Sequence, residues 1–241
     1  MINRVLIAFW PIIICFYLTG CAEHSISSNK NPTVKNAVTI TIDLCPSSKP
    51  YEAKLFKALE GLGQRAGQPL PVTIFVSGRW IERHQDELKV LKKMYLNITW
   101  GNHSYSHPVA DDFLNNPKVN FRREMLKNIT AMEKFSLQPS RYFRFPGLRH
   151  NRQRLEQLAA LGYISVDSNA WLGKIHWWHR FVGGRIKAGS IILIHGNGNE
   201  RAGVVDEFIA WLKRNKKYRI VPLSDFIPVV SSSGTPEAVR P

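Results

Sequence analysis

Two histidines four apart, an aspartate closing one apolar run and a histidine closing another are the residues here whose types and spacing suggest chemistry. The pair lies in Gly101-Asn102-His103-Ser104-Tyr105-Ser106-His107-Pro108. On one helical turn, side chains four apart face the same way, so His103 and His107 would grip a single cation, with Pro108 ending the turn. The same spacing describes two surface or core histidines, and alone it does not separate the two readings. Asp43 stands in Thr41-Ile42-Asp43-Leu44-Cys45. A carboxylate at a strand end lies where α/β barrels keep their active sites, but it also suits a turn or a helix cap. His195 closes Ile191-Ile192-Leu193-Ile194 in the position that matches Asp43. It reads as a proton-transfer group or as a hydrogen-bonded core histidine. Arg144-Phe145-Pro146-Gly147 and Asp167-Ser168-Asn169-Ala170-Trp171 likewise begin where apolar runs stop. Arg or Asp at such a loop mouth is commonly just solvated.

The elements that must position these groups alternate. Strands are expected over Val38–Ile42, Val72–Val76, Ile98–Trp100, Tyr142–Phe145, Ile164–Val166, Ile191–Ile194 and Ile220–Pro222. Between them, helical spacing covers Glu52–Leu62, Asp86–Met94, Phe121–Phe135, Arg152–Leu161, Phe181–Lys187 and Val204–Asn215. Strands alternating with helices argue for a parallel sheet with crossover helices. The expected fold class is therefore α/β: a distorted (β/α)7-type barrel of parallel strands in a single domain, residues 37–228. No internal repeat or Gly-rich phosphate loop interrupts it, and Gly183-Gly184 is too isolated to count.

Taken together, the motifs run in the order Asp, His-x-x-x-His, Arg-x-Pro-Gly, Asp-x-x-x-Trp, Leu-x-His. This resembles the NodB-like polysaccharide deacetylases, carbohydrate esterase family four, over about Ala37 to Phe226. Val72-Thr73-Ile74-Phe75-Val76-Ser77-Gly78 is similar to the family's second strand, and Val221-Pro222-Leu223-Ser224-Asp225-Phe226 to its last.

The resemblance implies hydrolysis of acetyl groups on N-acetylglucosamine polymers with a divalent metal, Zn2+ being the expected one. By motif, His103 and His107 would ligate the metal, whose bound water becomes a usable nucleophile. Asp43 would be the catalytic base and Arg144 its partner. A backbone N–H near Pro146-Gly147 would stabilise the oxyanion. His195 would protonate the departing amine, with Asp167 orienting it, and Leu193 and Trp171 would enclose the acetyl methyl.

Some positions depart from the family pattern. Its first motif usually carries two acids, base then metal ligand, and Leu44 stands at the second. The expectation is a site short of one ligand, with Asp43, Asp111 or Asp112 as possible substitutes. Ala170 stands where an acid often precedes the tryptophan, and the third motif reads Phe145-Pro146-Gly147-Leu148. His176-Trp177-Trp178-His179 reads either as a sugar-stacking platform or second metal site, or as cover for a core edge. Two functional classes follow: a variant but working enzyme, or a glycan-binding protein that kept the fold.

The start of the chain reads as an address to the envelope. Arg4 followed by apolar Val5–Leu18 reads as an export signal, residues 1–20, too short for a membrane span. Leu18-Thr19-Gly20-Cys21 resembles the lipobox of bacterial lipoproteins, which implies cleavage before Cys21 and a lipid anchor there; an uncleaved anchor or ordinary secretory signal is the alternative. Ala22 after the cysteine suits sorting to an outer membrane. Residues 21–36 read as a flexible tether and 229–241 as a disordered tail. With Cys15 in the signal and Cys21 acylated, Cys45 is the only free thiol, and no intramolecular disulfide is available. Lys and Arg number 33 against 18 Asp and Glu, a net charge of +15 that attracts polyanions. For an exported chain these are anionic lipid or wall polymers rather than nucleic acid. The expected partners are an acetylated polysaccharide (peptidoglycan or an exopolysaccharide) and the membrane, for a monomer.

Overall fold

Val, Ile and Thr suit the pleated backbone, and a strand apolar on both faces must be covered on both. The structure, a computed structural model, describes residues 25–108, 116, 118–172 and 186–227. In it the first apolar run forms β1, Ala37–Leu44, buried along its whole length. Val38, Ile40, Ile42 and Leu44 share a cluster with Leu55, Phe56 and Leu59 of helix α1 (Ala53–Ala66). Ala37 belongs instead to a cluster with Phe75, Tyr142, Val166 and Ile191, drawn from around the sheet. That cluster is the barrel interior. Alternation along the strand turns Thr39, Thr41 and Asp43 toward it.

The other strands are β2 (Leu70–Val76), β3 (Leu96–Asn102), β4 (Pro139–Phe143), β5 (Ile164–Ser165), β6 (Ala170–Trp171), β7 (Ile191–His195) and β8 (Arg219–Ile220). Every described pairing between them is parallel, in the order β5-β4-β3-β2-β1-β7-β6, and β8 joins the start of β1. Helices α2 (Gly78–Arg83), α3 (Gln85–Leu91), α4 (Phe121–Lys134), α5 (Arg152–Ala160) and α6 (Val204–Arg214) complete the element order. Asn120 and Asn151 cap α4 and α5 by accepting the N–H groups of Arg123 and Arg154. The fold is the expected single α/β domain, a distorted barrel of parallel strands. The expected elements do not include α2 or β6. These are six and two residues long, too short to show a period.

The expected tether is corrected in part. Residues 25–36 do not hang free: Ile26 is buried in the barrel interior and bridges Val166, while Ser28 bridges Ser190. The segment thus spans from the end of β5 to the start of β7, on the side where the sheet path is open. The export signal with Cys21, residues Asp111 and Asp112, the His176–His179 cluster, most of the helix expected over Phe181–Lys187 and the tail lie outside the described residues.

Candidate active site

Asp43 ends the inward face of β1 and pairs in register with Phe75 of β2 and His195 of β7. Arg144 follows β4 and is fully buried, so its charge needs partners. Its Nη1 donates to Asp43 Oδ1 and to Thr41 Oγ1, both at 2.8 Å, and its Nε and Nη2 donate to the carbonyls of Val166 and Asp167, both at 3.1 Å. The guanidinium also lies 4.2 Å from the Phe75 ring centroid. Burial pushes the Asp43 carboxyl up, but Arg144, then His103 and His195, more than offset it and hold it below its ordinary value. Arg144 thus favours the ionised form of Asp43, at the C-terminal end of β1.

The two histidines meet, though not on a helical turn. They lie on the loop after β3, with Ser104 and His107 in left-handed conformation at φ 62° and 54°. Side chains pin that loop. Asn102 Oδ1 accepts from Ser104 N (2.9 Å) and from Asn128 Nδ2 of α4 (2.8 Å), and Ser104 Oγ accepts from His107 N (3.1 Å). The Glu124 carboxylate takes Ser106 N at 2.7 Å and its hydroxyl at 2.9 Å. Gly101 is required because a Cβ there would lie 2.5 Å from the Phe75 ring. The imidazoles of His103 and His107 stand edge to face with centroids 4.7 Å apart. His103 Nδ1 donates to the Arg144 carbonyl at 2.8 Å. A carbonyl only accepts, so a hydrogen is on Nδ1, and Nε2 is the ring nitrogen turned into the cleft.

That nitrogen faces Asp43 Oδ2 at 3.7 Å and is hydrogen-bonded to Cys45 Sγ at 3.6 Å. The sulfur and the nitrogens of His103 and His107 lie within 4.8 Å of one another. Burial pushes the Cys45 thiol up, but His103, His107 and His195 around it bring it well below its ordinary value. Two imidazoles and a sulfur brought together in this way form a donor set that would fit zinc or a similar divalent ion. The expectation that Leu44 leaves a ligand position vacant is corrected: Leu44 is fully buried in the outer cluster beside Phe56. Sequence reasoning missed Cys45, although a period of two from Asp43 reaches it directly.

His195 has its own carboxylate, and it is not Asp167. Glu200 Oε1 lies 3.0 Å from His195 Nδ1 and accepts the His195 backbone N–H at 2.8 Å. Burial works against the charged imidazole, but Cys45 and Glu200 beside it, with Asp43, push His195 up to about 11. Asp167 instead accepts from His150 Nε2 at 3.0 Å, and its carbonyl seats Arg144. Glu200 sits in a loop five residues beyond His195, where no periodicity marks it.

The apolar residues fall beside this cleft. Trp171 pairs with Leu193 in register, so both share the face of His195 two residues on. Leu193 is buried, while Trp171 is 39% exposed. Pro146 and Gly147 form a short turn after Arg144 and Phe145, with Gly147 at φ 64°. An ionised carboxylate, a metal-type donor set and a protonated imidazole on one inner face are the parts of a metal-assisted hydrolysis.

Comparisons with known proteins agree in kind. The polysaccharide deacetylase family profile matches residues 30–166. Among solved structures, the chain is similar to a family 4 carbohydrate esterase from Bacillus anthracis, at 22% identity and TM-score 0.64 over 84% of this chain and 86% of that one. A CE4 family pseudoenzyme from Bacillus anthracis matches at 16% identity and TM-score 0.64, over 84% and 68%. The chitin deacetylase of the fungal pathogen Colletotrichum lindemuthianum matches at 18% and TM-score 0.60, over 85% and 91%. At these identities the likeness is one of fold.

Proposed function

The chain belongs to the polysaccharide deacetylase family, the NodB-like carbohydrate esterase family four, and we propose that it is a working hydrolase that removes acetyl groups from an envelope polysaccharide. The favoured substrate is the N-acetyl group of N-acetylglucosamine units in peptidoglycan or an exopolysaccharide. Its solved neighbours include proteins described as a peptidoglycan N-acetylglucosamine deacetylase and a chitin deacetylase. The observation that carries the reading is the register pairing of Asp43 with His195, a base held ionised by Arg144 beside an acid held by Glu200.

His103 and His107 would hold a divalent ion, zinc being the expected one, which would supply Lewis acidity toward the acetyl carbonyl and lower the pKa of water near it. Asp43 accepts the proton of the attacking water. Arg144 keeps that carboxylate charged and aimed. A backbone N–H near Pro146-Gly147 takes the developing oxyanion. His195 then gives its proton to the departing amine, and Glu200 holds the imidazole in position. Leu193 and Trp171 wall the acetyl methyl. A lipid on Cys21 would hold the domain at the membrane face, close to polymer.

A second reading, a glycan-binding protein without turnover, draws on the first motif, where the usual pair of acids is reduced to Asp43. Amine release from acetylated chitooligosaccharides and peptidoglycan, with and without chelator, decides between them. Release that chelation abolishes supports the enzyme. No release with any added divalent metal leaves the binding reading.

A further inference from the structure

We propose that Cys45 is the third protein ligand of the metal and makes the centre selective for a thiophilic divalent ion such as zinc. The inference rests on the reading that this cleft holds a divalent ion, and it specifies which kind.

Among the described residues, three observations favour Cys45 as the third ligand. Leu44 is directed into the outer apolar cluster, against the helix layer and away from the imidazoles. Asp43 Oδ1 is engaged by Arg144 at 2.8 Å, which holds the base on the guanidinium, while Oδ2 stands 3.7 Å from His103 Nε2. Cys45, one residue beyond β1, returns to the inner side and brings its sulfur 3.6 Å from His103 Nε2. Its backbone is held as well, the carbonyl accepting from Asn197 Nδ2 at 3.1 Å. His103 presents Nε2 because its Nδ1 is tied to the Arg144 carbonyl. The three donor atoms therefore lie within 4.8 Å of one another.

Sulfur in place of a carboxylate oxygen changes which ion is favoured. Thiolate with imidazole suits Zn2+, and Co2+ or Cd2+ as its stand-ins. Carboxylate and water suit Mg2+, Ca2+ and Mn2+. With Leu44 at the second acid position and Cys45 one residue on, the chain thus separates the duties: oxygen for proton transfer, sulfur for the metal.

The test is Co2+ loading of the purified full-length protein, read by absorption. A thiolate ligand gives an intense near-ultraviolet sulfur-to-cobalt charge-transfer band, which imidazole and carboxylate ligands do not. Wild type is expected to show the band at one equivalent of Co2+, and Zn2+ to displace it. Cys45→Ser, checked for native circular dichroism, should lose the band and weaken zinc retention against a chelator by roughly 100-fold or more, at least what removing an outer-shell partner costs. Cys45→Asp should lose the band while moving the preference toward Mn2+. Co2+ bound by wild type without the band, or a band unchanged in Cys45→Ser, overturns the proposal. The two readings fail separately. A Cys45-dependent band in a protein that never releases amine keeps the ligand and removes the deacetylase. Chelator-sensitive amine release with metal retention untouched by Cys45→Ser does the reverse.

Discussion

The Nδ1 of His195 lies 3.0 Å from Glu200 Oε1, and the same oxygen accepts the His195 backbone N–H at 2.8 Å. One carboxylate thus fixes both the ring and the chain of the proposed acid. Glu200→Gln should lower kcat by roughly 100-fold or more with little change in KM, within the range ascribed to positioned acid–base groups. Asp167→Asn, whose carboxylate serves His150, should cost much less. Steady-state kinetics of both variants checks this. A larger loss in Asp167→Asn would return the orienting role to residue 167.

Arg144 and Asp43 stand or fall together. Arg144→Met removes every partner bond of a fully buried guanidinium and leaves the Asp43 carboxylate buried without its counter-charge. Breaking a buried pair in this way costs about 3–5 kcal/mol. Urea denaturation should show that loss, and turnover should fall as Asp43 loses its aim. Arg144→Lys should not rescue, because one ammonium does not reach four separate acceptors.

Leu44 is a core residue, and an acid there should not repair anything. Leu44→Asp places a carboxylate in the cluster with Phe56 and is expected to destabilise the fold on the order of several kcal/mol, the effective cost of an unpaired buried ion. Metal retention should not improve. A variant of unchanged urea midpoint and tighter zinc binding would place residue 44 in the cleft and refute the register described here.

Away from the cleft, His84 ties α3 to the loop after β1: its Nδ1 meets Glu87 Oε1 at 3.0 Å and its Nε2 meets the Ser47 carbonyl at 2.9 Å. The hydrogen bond from His84 leads the causes that hold the Glu87 carboxyl below its ordinary value of 4.5. A depressed carboxyl contributes stability that is present above the ordinary value and lost as pH falls through the depressed one. Glu87→Gln should therefore lower stability at neutral pH and flatten its decline on acidification below about 4.5. Denaturation midpoints measured in that range in both proteins check this, and parallel curves would contradict it.

Much of the site was legible because the chemistry stands where apolar runs stop. Asp43, His103, Arg144 and His195 each follow or close a β-branched or aromatic stretch, and a parallel barrel brings strand ends together. What the sequence concealed has physical causes. His103 and His107 share a site through a loop with two left-handed residues, pinned by Asn128 and Glu124 of a helix far along the chain. Glu200 reaches His195 across a loop, where side-chain direction follows no period. Cys45 reads in the sequence only as a free thiol, because it lies one residue past the apolar run that marks the strand. Ile26, alone in a polar stretch, gave no sign that it enters the barrel interior.

The central claim is turnover at a metal held between these groups. The most direct measurement is acetate released from an N-acetylated chitooligosaccharide by protein carrying one equivalent of zinc, by the same protein stripped with chelator, and by zinc-loaded Asp43→Asn. Release is predicted for the first alone and should return to the second when zinc is restored. Equal release by all three, or none from zinc-loaded wild type, would contradict the account.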